Sequence, residues 1–528
     1  MYHSTQTTTN KQLTTNKLRT RIMTQHIEMA LSTQEVEILH ECDELTLDFT
    51  SLNKDSISVI PPQCVVIGYG DLCDAFLSLC VEKEHSYVLE VSQLLPQDFV
   101  SLKGHLGVFN LRFKNALGEI ESLQTAQVVC FAPLDLPECK GVHKPNMYES
   151  AEQMLQALLG FCGEQSYERN IIFNPTHCQF QLRRPLASGE SVCHSCVDIC
   201  PTIGITSDKN ARILELSAID CIACGRCVSV CPTGSVQRQG DGLEAFTYKA
   251  RLYKDYIPLV VRREVFESSE FIENLKILKE QNPLVLPFVL QVPDMLNSVY
   301  FLTLLQESSS PIILYTPLGE HTNTDRDSIN EIYKRIFSST AIMGLSEIDD
   351  ISTLKPLPQS HYVYTPRENE SSKDIFAERM RFWIKQESYG KVKIQGFGIL
   401  GINAEQCTLC LSCVEACNTK ALVNNQSRFE LLYKPALCTD CGYCVVSCAE
   451  KVLSLEESSL ALEEKSFAYT PIASDEPFRC VECDKVFATQ KSINKIKQIL
   501  MPSFGNDSLK LRTLECCADC KVKVMFEG

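Results

Sequence analysis

Four short runs of cysteine constrain this chain more than anything else in it. They are Cys193/Cys196/Cys200 in "CHSCVDICP", Cys221/Cys224/Cys227/Cys231 in "CIACGRCVSVCP", Cys407/Cys410/Cys413/Cys417 in "CTLCLSCVEACN" and Cys438/Cys441/Cys444/Cys448 in "CTDCGYCVVSCA". A shift of 217 positions carries Cys193 onto Cys410, Cys200 onto Cys417, Cys221 onto Cys438 and Cys231 onto Cys448. The one mismatch is Glu190, whose counterpart is Cys407. Such self-similarity marks an internal duplication of a two-site unit.

The spacing carries a chemical meaning. Three cysteines at i, i+3 and i+6 on a tight loop reach three irons of one cubane. The fourth cysteine of each run lies just beyond and faces the neighbouring cluster. By that exchange Cys221, Cys224 and Cys227 with Cys200 hold one [4Fe-4S] cluster. Cys407, Cys410 and Cys413 with Cys448 hold a second, and Cys438, Cys441 and Cys444 with Cys417 a third. Zinc also takes C-x-x-C pairs, but the triple run followed by x-x-x-C favours iron–sulfur. "ARILEL" before Cys221 and "RFELLY" before Cys438 alternate as short strands. Gly225 and Gly442 follow the second cysteine of their runs, where a missing side chain lets amides approach the cluster.

The remaining site has Cys193, Cys196 and Cys231 and needs a fourth ligand. Cys178, in "NPTHCQFQLRRPLASGESVC", offers a thiolate on a polar loop that can fold back. Glu190 and His194 are the other donors within reach, and an open three-iron site is the remaining alternative. A carboxylate is a harder ligand and suits cubane iron less well.

Taken together, the N-P-x-x-C of Asn174–Cys178, the long spacer, the shortened run and the full run that follows resemble a family of bacterial multi-cluster 4Fe-4S ferredoxin-type (dicluster domain) proteins. The resemblance spans about residues 130 to 528 and is strongest over the cysteines. It implies that the isolated upstream cysteine, here Cys178, takes the first ligand position. It also implies a redox enzyme as partner, such as a molybdenum- or tungsten-dependent formate dehydrogenase. Asn418 and Ala449 depart from the pattern, since Pro201 and Pro232 follow the corresponding cysteines of the first pair.

A different pattern closes the chain. Cys480/Cys483 in "RCVECDKVF" and Cys517/Cys520 in "LECCADCKVK" are two C-x-x-C knuckles, the spacing of a closed four-cysteine zinc site. Cys516 is a spare neighbour. The segment has little core of its own, so a metal would act as a staple.

The chain has 528 residues, 44% hydrophobic and 22% charged, which is enough for a packed core without disulfides. Its 28 cysteines therefore point to metal in a reducing cytoplasm. A formal charge of −16 argues against nucleic acid as partner. No apolar run has the length of a membrane span, and the polar start, with Met23 and Met29 as alternative initiators, shows no secretory pattern. "YIPLVV", "PLVLPFVLQV" and "PIILYTP" alternate with helical stretches at Phe271/Ile272/Leu275/Leu278, after Asp294, and after a Ser328–Glu331 capping box. That alternation predicts a small parallel α/β domain. "VVIGYG" with Glu90 downstream is half of a dinucleotide fingerprint, but Cys73 stands at the third glycine, which favours a plain turn at Gly68 and Gly70. Cys42, Cys64, Cys73, Cys80, Cys130, Cys139 and Cys162 lack metal spacing.

The expected architecture is an α+β and α/β multidomain chain. It has a disordered start (1–30), an N-terminal α/β domain (31–165), a first dicluster ferredoxin module (170–245) and a central α/β domain (246–395). A second dicluster module (396–465) and a zinc-ribbon-like, four-cysteine metal-binding tail (475–528) complete it. The expected function is electron relay through four [4Fe-4S] clusters, by a non-catalytic carrier or accessory subunit. The rivals are a maturation factor for a molybdoenzyme and an oxidoreductase subunit with an N-terminal nucleotide or flavin site.

Overall fold

A parallel sheet is stable only when both its faces are covered, and the chain builds two such sheets besides its small antiparallel ones. The computed structural model describes residues 30–50, 56–81, 89–137, 139–183, 186, 188–190, 193–505 and 507–526. Residues 1–29, with Met23 and Met29, lie outside the described residues.

In the centre of the chain the strands Val285–Leu290, Ile257–Arg262, Ile312–Leu314 and Ile342–Gly344 lie side by side in that order, all parallel. Pro287 is tolerated because its strand is at the edge. The helix Ser269–Gln281 buries Phe271, Ile272, Leu275 and Leu278, one face of a 3.6-residue period. The helix Ser298–Ser308 is buried along its whole length. It is capped by Asn297, which accepts from the Val299 amide at 3.2 Å. Asp294 instead takes Arg262 Nη2 and the Gly319 amide, each at 2.7 Å. Nor does Ser328 open a helix. It lies inside Glu320–Phe337 and donates to the Thr324 carbonyl at 2.9 Å. The polar "EHTNTD" turn continues that helix where pattern alone marks a boundary.

Burying Ser298–Ser308 also buries Glu307, which needs partners. Arg379, on the helix Ser372–Trp383, donates to Glu307 Oε1 at 2.9 Å, and both side chains are fully buried. Arg251 and the Tyr364 amide complete the set at 3.2 and 2.9 Å. The helix Ser372–Trp383 leads on into the second cluster module.

The N-terminal sheet has the order Glu90–Leu94, Gln63–Ile67, Gln127–Cys130, Val142–His143, again all parallel. The helices Asp71–Val81 and Ala151–Gly160 cover one face through Phe76, Met154, Leu155 and Leu158. A three-stranded meander, Phe99–His105, Val108–Lys114 and Ile120–Thr125, covers the other through Phe109 and Leu111. A Cβ at Gly68 would meet Phe131 Cβ at 2.7 Å, so close packing requires that glycine. Cys73 is buried inside the helix Asp71–Val81. The helix Thr33–Asp48, expected with this domain, packs on the central one instead. Its Glu35 and Asp43 pair with Lys279 and Arg263.

The tail departs from a ribbon of two knuckles. Its first cysteine pair follows the strand Pro477–Arg479, hairpinned to Val486–Thr489, but its second lies at the opening of the helix Ala518–Phe526. Among the described residues no helix is long and apolar enough to cross a membrane.

Trp383, the single tryptophan, is buried against Tyr333 and Phe337 and reports on this core. Arg379→Met removes the fully buried cation from Glu307 and leaves it only the half-buried Arg251. It is expected to lower stability by about 3–5 kcal/mol in denaturant titrations followed by Trp383 fluorescence. Adding Glu307→Gln is expected to recover part of that loss.

Candidate metal centres

The two modules share one strand register. In the second, Ile399–Ile402 pairs antiparallel with Leu453–Glu456, Ile402 facing Leu453. In the first, Ile171–Phe173 pairs with Val236–Arg238, Phe173 facing Val236. Cys407 comes five residues after Ile402, and Cys178 five residues after Phe173. The hairpins Ile205–Asp208/Ile213–Leu216 and Leu422–Asn425/Glu430–Tyr433 also correspond, as do the short helices Ser195–Asp198 and Ser412–Glu415. Cys178 therefore occupies the place of Cys407. Fourteen residues separate Cys178 from Cys193, against two between Cys407 and Cys410, so the first module carries an insertion of twelve.

The three complete loops share one backbone device. The second and fourth residues after the first cysteine are left-handed: Ala223 and Gly225, Leu409 and Leu411, Asp440 and Gly442, with φ between 51° and 75°. Non-glycine residues pay about 1–2 kcal/mol for this conformation. Alternating handedness curls the chain so that amides face inward, forming an anion nest. The amides of Ala223, Leu409 and Asp440 donate to Cys221, Cys407 and Cys438, the last at 3.5 Å. Cys178 receives the amides of Gln181 and Phe180. These donors suit sulfurs that carry charge, which iron ligation imposes.

The sulfurs gather in fours. Burial raises Cys227 to about 12, and the nearby charges of Cys221, Cys224 and Cys200 push the same way. Burial raises Cys413 to about 12, reinforced by Cys407, Cys410 and Cys448. It does the same for Cys444, with Cys438, Cys441 and Cys417 beside it. Burial likewise raises Cys196, whose neighbours are Cys231, Cys193 and Cys178. Three of the quartets each line a cavity of their own. Charge contacts from Cys196 to Cys227 and from Cys444 to Cys413 link the two quartets within each module. Sixteen cysteines so arranged fit four cubanes.

The other donors weighed for the first site face elsewhere. Glu190 is exposed and accepts from Ser188 Oγ at 3.1 Å. Both ring nitrogens of His194 are engaged, Nδ1 with Asp198 and Nε2 with Ser207, each at 2.7 Å.

In the tail, Cys480, Cys483, Cys517 and Cys520 bring their sulfurs within 4.8 Å of one another, and Cys483 and Cys517 are 3.7 Å apart. A tetrahedral site with zinc–sulfur bonds of 2.3 Å spaces its sulfurs by roughly 3.8 Å, whereas a cubane holds cysteines at its outer corners, farther apart. Burial pushes the Cys480 thiol up, but amides of Cys517, Glu482 and Cys483 outweigh it and bring it down to about 6. Cys516, beside Cys480, donates to the Arg512 carbonyl at 3.3 Å.

Two cations beside these sulfurs escaped the reading of the sequence. Lys373 is buried, donates to the Gly396 carbonyl at 2.5 Å and lies over the Phe397 ring. Burial brings it down to about 7 against the pull of Cys438, Asp325 and Asp440. Arg183, in the twelve-residue insertion, is buried against the second module. Only the double arginine in "QLRRPL" could have flagged the latter.

Comparison with known families agrees with this geometry. Residues 191–236 match a 4Fe-4S dicluster domain, and residues 399–455 match another domain of that description. The first match begins beyond Cys178. No curated protein matches the chain. With two such domains built on one repeated unit, the chain is a multi-cluster 4Fe-4S ferredoxin-type protein.

Proposed function

We propose that the protein relays single electrons through four [4Fe-4S] clusters to or from a partner redox enzyme. The observation that supports this reading is the repeated register, in which Cys178 lies five residues after its strand as Cys407 does after its own, and which favours a fourth quartet. The ligand sets are Cys178/Cys193/Cys196/Cys231, Cys200/Cys221/Cys224/Cys227, Cys407/Cys410/Cys413/Cys448 and Cys417/Cys438/Cys441/Cys444. Bound there, the clusters supply one-electron chemistry. The chain supplies thiolates, inward amides and burial, which set the potentials. A formate dehydrogenase-like molybdoenzyme is the partner that the resemblance suggests, and a reducing cytoplasm suits so many thiolates. The buried Cys73 and the packing need at Gly68 favour a structural turn over a flavin or nicotinamide site.

Protein purified without oxygen is expected to hold about sixteen irons and as much sulfide per chain. Cys178→Ser is expected to lose an iron and show a three-iron EPR signal on oxidation. About twelve irons in both proteins would mean that the first site is broken and the relay has three stations.

The Cys480/Cys483/Cys517/Cys520 quartet is proposed to hold one structural zinc, and its sulfur spacing supports this. Metal analysis is expected to find about one zinc per chain, lost on Cys483→Ser while the iron content stays unchanged. Retention of zinc in that variant would place it elsewhere.

A further inference from the structure

The twelve extra residues between Cys178 and Cys193 do more than lengthen a loop. They carry Arg183 from the first module into the second. Its side chain is 5% exposed. Its guanidinium carbon lies 4.9 Å from the ring centre of Tyr443, which sits between Cys441 and Cys444. It lines the same cavity as Cys417, Cys438, Cys441 and Cys444. Its Nε is buried with no hydrogen-bond partner among the described residues. The second module has no counterpart, since only two residues separate Cys407 from Cys410. The first module also approaches this quartet across a cavity of about 680 Å³, walled by Cys193 and Cys231 on one side and Cys441 on the other.

A buried guanidinium stays charged and needs compensation. Here the compensation on offer is a thiolate-ligated cluster, to which the free Nε–H is a donor. Reduction makes that unit one charge more negative, and a fixed cation in a poorly screened site favours the reduced form.

We propose that Arg183 is a positioning residue for the electron step between the modules, raising the potential of the Cys417/Cys438/Cys441/Cys444 cluster so that it accepts electrons from the first module. The inference rests on the four-cluster reading. With clusters bound, one electron would leave the group held by Cys178, Cys193, Cys196 and Cys231, oxidising it, and would reduce the group held beside Arg183 by Cys417, Cys438, Cys441 and Cys444. No bond or proton is exchanged. The file then runs from the Cys200/Cys221/Cys224/Cys227 site, through the Cys178 site and the Arg183-flanked site, to the site of Cys407.

The test is an EPR-monitored redox titration of the full-length protein, with iron and sulfide analysis, on wild type, Arg183→Gln, Arg183→Lys and Arg428→Gln. Arg428 is an exposed cation of the second module and controls for net charge. Arg183→Gln is expected to keep its iron while one midpoint potential moves down. Arg183→Lys is expected to move it less, and Arg428→Gln not at all. Unchanged potentials in an iron-replete Arg183→Gln protein would overturn the inference. So would loss of iron from both Arg183 variants, because the role would then be structural. A wild type with about twelve irons or fewer would overturn the four-cluster reading itself.

Discussion

The exchange of cysteines between neighbouring loops is the constraint on which the cluster modules depend. Cys200 leaves its own run to join Cys221, Cys224 and Cys227, and Cys231 returns to Cys193 and Cys196. Neither loop can complete its quartet alone. The same crossing recurs at Cys417 and Cys448. Two short antiparallel pairings in each module hold the loops face to face, and the register of those pairings is the same in both. Left-handed residues such as Leu409 and Leu411 show that the backbone accepts strain to turn its amides toward sulfur.

Duplication explains the likeness of the modules, and one insertion explains their difference. Inserting twelve residues between Cys178 and Cys193 leaves the strand before Cys178 in place, because Phe173 still faces Val236 as Ile402 faces Leu453. Cys178 keeps the position that corresponds to Cys407 because that position is set by the strand rather than by the rest of its run. The inserted segment is then free to reach the other module, and Arg183 does so.

The central domain fixes how the two modules meet. Its buried helix Ser298–Ser308 is tied through Glu307 to Arg379, on the helix that leads into the second module. Asn297, at the start of the same helix, donates to the Val228 carbonyl of the first module at 3.3 Å. One rigid element thus touches the approaches to both modules, so the distance between them follows from core packing rather than from a flexible linker.

Cysteine spacing by itself showed the dicluster chemistry and the duplication, and marked three candidate ligand sets and the tail quartet, because cubane and tetrahedral geometries demand short fixed intervals along the chain. The periodicity at Phe271, Ile272, Leu275 and Leu278 gave a helix face in the same local way. Helix starts were less legible, since Ser328 and Asp294 carry capping chemistry but tertiary contacts use them otherwise. Spacing alone left Cys178, Glu190 and His194 as alternatives, and strand pairing across 63 residues, from Phe173 to Val236, brings Cys178 near Cys231. The burial of Lys373 against the second module had no sequence signal of its own, and that of Arg183 only the double arginine of "QLRRPL". Ligand spacing is local and visible along the chain, whereas a charge gains its meaning only from what the fold packs around it.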